Sequence, residues 1–189
     1  MVTKFYLHFP VLPLLALALG SAADPQQPDL ITSRTIGGLH MCESLRRVSA
    51  LFPGARDTLV MGEGDTGWPS KIVSLGNGEW ILFESSWIDT THLWRATTNS
   101  PKYRTAHGVR VGMSINDLIR RQEKMEFSYP EGYVVATLAR DSVSFLVDDH
   151  SAAEFWARFD FKADSVDALK ILSHEARITH LFTGGSCKH

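Results

Sequence analysis

One cluster in the sequence holds side chains of the kind that bind metal ions. Asp148, Asp149 and His150 are consecutive, and Glu154 follows His150 by four residues. Carboxylate and imidazole groups are common metal ligands, and residues four apart lie on the same face of a helix. A metal site is therefore one interpretation. The alternative is a strand end, a turn and a helix N-terminus, where the helix dipole stabilises acidic side chains.

Two further polar groups lie near the ends of expected strands. Asp89 and His92, in the segment DTTH, could take an acid-base or metal role, although aspartate in a turn commonly serves local backbone hydrogen bonds. His107 and Arg110 could bind an acidic group of a partner or face solvent from a strand. The sequence has no G-x-S-x-G nucleophile motif, and the glycine-rich GEGDTG lacks the Lys-Ser/Thr of a phosphate-binding loop.

Composition narrows the class of function. The chain has 189 residues, is 44% hydrophobic and 21% charged, and carries a net charge of -2. These values are typical of a globular protein rather than a disordered one. Without a basic excess there is no electrostatic basis for binding nucleic acid. No motif for a cofactor is present, so we expect none.

The aromatic residues are the more promising candidates for a binding surface. On a strand that alternates between two faces, Trp80 and Leu82 point one way while Phe83 and Trp87 point the other. If one sheet face is uncovered, one tryptophan set is exposed, and exposed aromatic residues mark binding surfaces. If a second layer covers that face, they belong to a core. The candidates are Trp68, Trp80, Trp87, Trp94, Tyr129 and Tyr133.

The elements that must position these residues occur twice. Residues 34–45, RTIGGLHMCESL, resemble residues 104–115, RTAHGVRVGMSI, at an offset of 70 positions. In the second copy Gly112 permits a sharp strand-to-helix corner, because glycine adopts positive φ without steric cost. The first copy has Cys42 at this corner.

A helix and a hairpin follow each corner. Ser114 and Asp117 match a capping box at the start of the second helix, and Ser44 is the expected cap of the first. In the first copy KIVSL turns through Gly76-Asn77-Gly78 into EWILFESSW. In the second, YVVATL turns through ARDS into VSFLV. The segments HLWRATT and EARITHLF predict a further strand in each copy.

This pattern predicts an α+β fold, in which two αββ(β) repeats form an antiparallel sheet with the helices packed on one face. Residues 31–189 are expected to form a single domain, with repeats at about 31–100 and 101–189. Residues 24–30, rich in proline and glutamine, are expected to be a flexible leader.

Residues 1–23 have the features of a secretory signal peptide. A short segment with Lys4 precedes an apolar stretch that ends in Ser21-Ala22-Ala23, a small-x-small cleavage pattern. We expect export to the periplasm or the extracellular space, cleavage after Ala22 or Ala23, and no membrane span in the mature chain. The alternative is an uncleaved anchor. Export permits the one available disulfide, Cys42 to Cys187; the alternative is two free thiols.

Two segments resemble a motif of known protein families. GVRVGMSINDL matches it best, and GLHMCESLRRV matches it without the Gly-Met pair. The tandem arrangement resembles the β-lactamase inhibitory protein family and the SmpA/OmlA-type outer-membrane assembly lipoproteins. Members of these families bind proteins and perform no chemistry, so the resemblance implies a binding role. The chain departs from the lipoproteins in having no lipobox cysteine, and from the inhibitors in having no disulfide within each repeat.

We therefore interpret the chain as a secreted or periplasmic non-enzymatic binding module, with a protein or an envelope component as its partner. The alternatives are a small secreted metal-dependent enzyme, built around the Asp148 cluster, and a purely structural envelope protein. The sequence does not specify the oligomeric state.

Overall fold

A computed structural model describes residues 28–61, 66–128, 133–148, 173, 175–184 and 187. It therefore describes neither the expected signal peptide nor the first part of the leader. The two helices are α1 (Arg46–Leu51) and α2 (Ile115–Arg120). The strands are β1 (Thr35–Ile36), β2 (Leu39–His40), β3 (Arg56–Met61), β4 (Gly67–Gly76), β5 (Glu79–Glu84), β6 (Arg95–Thr98), β7 (Met125–Ser128), β8 (Val135–Leu138), β9 (Val143–Val147) and β10 (Ile178–Gly184).

Eight of the strands form one sheet in the order β3-β4-β5-β6-β10-β9-β8-β7, and all its pairings are antiparallel. The first half of the chain contributes α1 and then β3 to β6, and the second contributes α2 and then β7 to β10. The two halves meet through their last strands, β6 and β10. Strands β1 and β2 form a separate two-stranded ribbon.

The predicted α+β fold class is wrong, because the described structure is mostly β. Each helix has only six residues and is therefore about 9 Å long at 1.5 Å per residue. Eight strands spaced about 4.8 Å apart span roughly 34 Å. Two such helices cannot form a layer over this sheet. Pro53-Gly54 follows α1 closely, and Gln122, just after α2, has a positive φ of 57°, so neither helix extends further.

The hydrophobic core lies on one face of the sheet. Phe83, Ile81 and Phe145 are fully buried, and the ring of Phe52, just after α1, lies 5.7 Å from that of Phe83. The helices contribute Val48, Ile115 and Leu118 to the same cluster. Each helix therefore covers only a local part of the face.

The two corners that precede the helices have the same geometry. Cys42 and Gly112 have positive φ values of 73° and 88°. The N–H of Cys42 donates to the carbonyl of Leu93 at 2.8 Å, and the N–H of Gly112 donates to that of Ile178 at the same distance. In each half, a backbone hydrogen bond therefore joins the corner to the start of the last strand, just before β6 in the first half and within β10 in the second.

The helix caps differ between the halves. Ser114 and Asp117 form the expected capping box, and the hydrogen bonds from Ser114 hold the pKa of Asp117 below its usual range. In the first half the N-cap residue is Leu45, with no side-chain cap. Ser44 was expected to be this cap, and the prediction is wrong by one residue. Its Oγ instead accepts a hydrogen bond from Arg46 N at 3.3 Å.

The predicted disulfide between Cys42 and Cys187 is confirmed, with a Cα–Cα distance of 5.5 Å. It joins the first corner to a residue beyond β10 across 145 positions of sequence, and such a link is compatible with an exported protein. No helix in the described ranges is long and apolar enough to cross a membrane.

Candidate binding surface

The predicted metal cluster falls largely outside the described residues. Asp149, His150 and Glu154 are among those that the structure does not describe, and Asp148 is half-buried at the end of β9. The N–H of Asp148 donates to the carbonyl of Arg177 at 2.8 Å. Among the residues described, no three His, Cys, Asp or Glu side chains come together in a group that could hold a metal ion.

The predicted aromatic residues do not form one surface. Trp68 and Trp80 are half-buried, and the ring of Trp80 packs 5.4 Å from that of His180 on the sheet. Tyr133 is exposed, just before β8, and Tyr129 lies outside the described residues. Trp87 and Trp94 remain, with 71% and 39% of their surface exposed.

Both of these tryptophans belong to the connection between β5 and β6, residues 85–94, which we call the tryptophan loop. Its tip also exposes Ile88, at 74%. Ser86 N donates to the carbonyl of Asp89 at 3.0 Å, and Asp89 N donates to Ser86 Oγ at 3.0 Å. These bonds close a four-residue tip with Trp87 and Ile88 at its two central positions.

Asp89 holds the tip from inside the loop. Its Oδ1 accepts hydrogen bonds from Thr91 N at 2.9 Å and Thr91 Oγ1 at 2.7 Å. Its Oδ2 lies 2.7 Å from Nδ1 of His92. Donation from Thr91, followed by the contribution of His92, holds the pKa of Asp89 well below its usual range despite an opposing effect of desolvation. The geometry of Asp89 and His92 is that of a turn stabilised by local hydrogen bonds, the second of the two roles expected for this pair.

The base of the loop is fixed to the first corner. Leu45 N donates to the carbonyl of Thr91, and Leu93 N donates to that of Glu43, both at 2.8 Å. The carbonyl of Leu93 also accepts from the N–H of Cys42, which is itself held by the disulfide. The exposed tip therefore stands on a rigid base.

An ion pair between a buried carboxylate and a partly exposed arginine lies beside the second tryptophan. Glu84 is almost completely buried, and its two carboxylate oxygens accept from Nη2 and Nε of Arg95 at 2.6 and 2.7 Å. The guanidinium carbon of Arg95 lies 5.3 Å from the centre of a Trp94 ring, within the range of a cation–π contact. Arg95 thus links the buried carboxylate to the exposed indole.

A second pair of polar side chains, His107 and Asp141, lies in the second half of the chain. His107 Nδ1 is 2.8 Å from Oδ1 of Asp141, in the turn between β8 and β9, and the carbonyl of His107 accepts from Arg121 Nη1 at 3.1 Å. His107 and Arg110 were predicted as candidates from the sequence, but Asp141, which is 34 residues from His107, was not. The side chain of His107 is thus engaged within the protein rather than pointing freely at a partner.

Ile88 was not among the residues predicted from the sequence. It lies between the expected strand EWILFESSW and the segment DTTH, and it was assigned to neither. Sequence alternation instead placed Trp87 on a sheet face, whereas β5 ends at Glu84.

Comparison with known proteins bears on the fold alone. No family model matches the chain, and no curated protein does. A solved structure, that of the uncharacterized protein YfeY from Escherichia coli, is similar with a TM-score of 0.56 at 11% sequence identity, over 82% of this chain and 99% of that chain. The resemblance to the β-lactamase inhibitory protein and the SmpA/OmlA-type lipoproteins stays a prediction.

Proposed function

We propose that this chain is an exported, non-enzymatic binding module that contacts a protein partner or an envelope component through the tip of the tryptophan loop. The observation that carries the proposal is the combination of a rigid base with two large, apolar and strongly exposed side chains, Trp87 and Ile88. Exposed apolar groups cost solubility, and a rigid loop cannot turn them inward. Burial against a partner removes this cost.

The free energy available at this surface is adequate for specific binding. A tryptophan side chain presents roughly 200 Å². Covering the 71% of Trp87 that is exposed would, at about 25 cal/mol per Å², contribute roughly 3.5 kcal/mol. Because Asp89 and the disulfide already order the loop, binding costs little conformational entropy. Tryptophan is also among the residues most enriched at energetic centres of interfaces.

Two further proposals accompany this one. The first is that a signal peptide at residues 1–23 directs export, in keeping with the Cys42–Cys187 disulfide. The second is that the chain is a tandem repeat, supported by the helix followed by four strands in each half and by the matched left-handed corners at Cys42 and Gly112.

The test is site-specific photo-cross-linking in the cell. A photoreactive amino acid is placed at position 87 and, as a control, at Asn77, in the exposed turn at the opposite end of β5. We expect position 87 to form a discrete cross-linked product with a partner and position 77 to form none. Cross-linking at neither position, or equally at both, would count against the tryptophan loop as the contact surface.

A further inference from the structure

Among the described strands, β3 forms one edge of the eight-stranded sheet. It exposes two large apolar side chains, Leu59 at 64% and Met61 at 59%. The opposite edge, β7, has four residues and exposes the charged Glu126. Natural proteins protect sheet edges by keeping them short and placing charges on them. By this criterion β7 is protected, and the half of β3 that contains Leu59 and Met61 is not.

The register shows which backbone groups reach the free edge. Ser85 N donates to the carbonyl of Pro69 at 3.2 Å, so the backbone groups of Pro69 point towards β5. Leu59 is paired with Pro69 across β3 and β4. In an antiparallel ladder, the residue opposite such a position directs its own N–H and C=O away from the partner strand. Leu59 therefore presents both groups at the free edge and, by alternation, so do Asp57 and Met61.

These three positions are self-complementary about Leu59. We propose that β3 pairs antiparallel with β3 of a second copy of this chain, with Leu59 facing Leu59 of that copy across a two-fold axis. Asp57 then faces Met61 of the second copy, and Met61 faces its Asp57. Each of these pairs exchanges two hydrogen bonds, so the arrangement joins two sheets into one through six bonds. Shifting the register by two residues in either direction leaves one of the three positions in each copy without a partner in the described strand, and it removes two bonds.

The side chains agree with this register. The Asp57 carboxylate is already neutralised by Lys71 Nζ at 2.5 Å, so its position opposite Met61 of the second copy leaves no unpaired charge. Leu59 meets an identical apolar side chain. Thr58 and Val60, on the other face, become cross-strand neighbours of Val60 and Thr58 of the second copy, and β-branched pairs of this kind stabilise sheets.

The contact between the two β3 strands is small for a stable dimer. Six residues of strand are about 20 Å long, and an edge of this length covers less than the roughly 800 Å² per partner of a standard stable interface. The dimer is therefore expected to be weak and concentration-dependent, and trapping it covalently is the sharper test.

The experiment uses the mature chain with its native disulfide intact. Antiparallel hydrogen-bonded pairs place Cα atoms about 5.5 Å apart, within the disulfide range. We therefore expect Leu59→Cys alone to form a covalent dimer on mild oxidation. Asp57→Cys and Met61→Cys should each remain monomeric when tested alone. In either variant the new cysteine and the equivalent cysteine of the second copy are four residues apart along the paired strands, a distance of roughly 14 Å. A mixture of these two variants should cross-link.

Two controls complete the design. Leu51→Cys, at an exposed apolar position on α1, measures random collision, and mass spectrometry confirms that Cys42 and Cys187 remain joined. Sedimentation of the wild type over a hundredfold range of concentration should show a dimer that Leu59→Lys weakens at least tenfold. Cross-linking of Leu59→Cys no faster than Leu51→Cys, or failure of the mixture, would overturn the proposal and leave the edge to an extended segment of another protein.

Discussion

The left-handed backbone at Cys42 allows the cost of the first corner to be separated from the contribution of the disulfide. The φ of 73° at Cys42 is one that L-residues adopt at a cost of about 1–2 kcal/mol and glycine adopts freely. The perturbation is a pair of double variants, Cys42→Gly with Cys187→Ser and Cys42→Ser with Cys187→Ser. Both lack the disulfide and differ only at the corner.

The magnitudes follow from the geometry. The disulfide spans 145 positions, for which chain entropy gives an upper figure of about 5 kcal/mol that both variants lose equally. The glycine variant avoids the cost of the left-handed conformation. Glycine also raises the conformational entropy of the unfolded chain, which lowers the stability of this variant by up to about 1 kcal/mol. The net difference should therefore be about 1 kcal/mol in favour of Cys42→Gly.

Urea unfolding followed by circular dichroism measures this difference, which should appear as a higher midpoint with an unchanged slope. Equal stabilities, or a more stable Cys42→Ser variant, would refute the reasoning about the corner. Gly112→Ala carries the same test with the disulfide intact, because an added Cβ there would meet no atom within 4 Å and only the φ of 88° opposes it. After the same correction for unfolded-state entropy, a loss of about 1 kcal/mol is expected.

Two further predictions concern the cap and the loop. Ser114→Ala should lower the free energy of unfolding, measured by urea unfolding, by about 1 kcal/mol. Ser44→Ala is the matched control and should lower it less, because Ser44 lies outside the capping position. Equal losses in the two variants would contradict the assignment of Ser114 as the cap. Because the folded-state pKa of Asp89 is lowered, its contribution is present above the ordinary aspartate pKa of about 3.9 and is lost as the pH falls through the lower folded value. The difference in Tm between the wild type and Asp89→Asn should therefore persist above about pH 4 and shrink below it, and a difference that grew as the pH fell below about 4 would show that the sign is wrong.

Local signals in the sequence identified the central strands well. The Gly76-Asn77-Gly78 segment connects β4 to β5 as expected, and the predicted hairpin of the second half corresponds to β8 and β9. These elements alternate strongly in polarity and are separated by turn residues, so local chemistry determines them.

The edge strands and the fold class could not be predicted from local sequence signals. RDTLVM and MEFS, which form β3 and β7, are short and half-exposed, so they lack the periodicity of a buried strand. The cap at Ser114 indicated where α2 begins, but nothing local indicated that each helix would have only six residues. A sheet-dominated fold thus looked like an α+β fold.

The binding surface was accessible only in part. Trp87 and Trp94 were identified as aromatic candidates together with Trp80, because strand alternation cannot show which positions pack against a neighbour such as His180. The rigidity of the tryptophan loop arises from hydrogen bonds to the first corner, more than 40 residues earlier in the chain. Contacts at that separation leave no local pattern in the sequence.

The most direct test of the account is the dissociation constant of the partner trapped at position 87, measured for the wild type, Trp87→Ala and Leu51→Ala. The roughly 3.5 kcal/mol assigned to covering Trp87 corresponds to a weakening of about 300-fold, whereas Leu51→Ala, on α1, should stay within about twofold. A dissociation constant that Trp87→Ala leaves unchanged would contradict the claim that this chain binds its partner through the tryptophan loop.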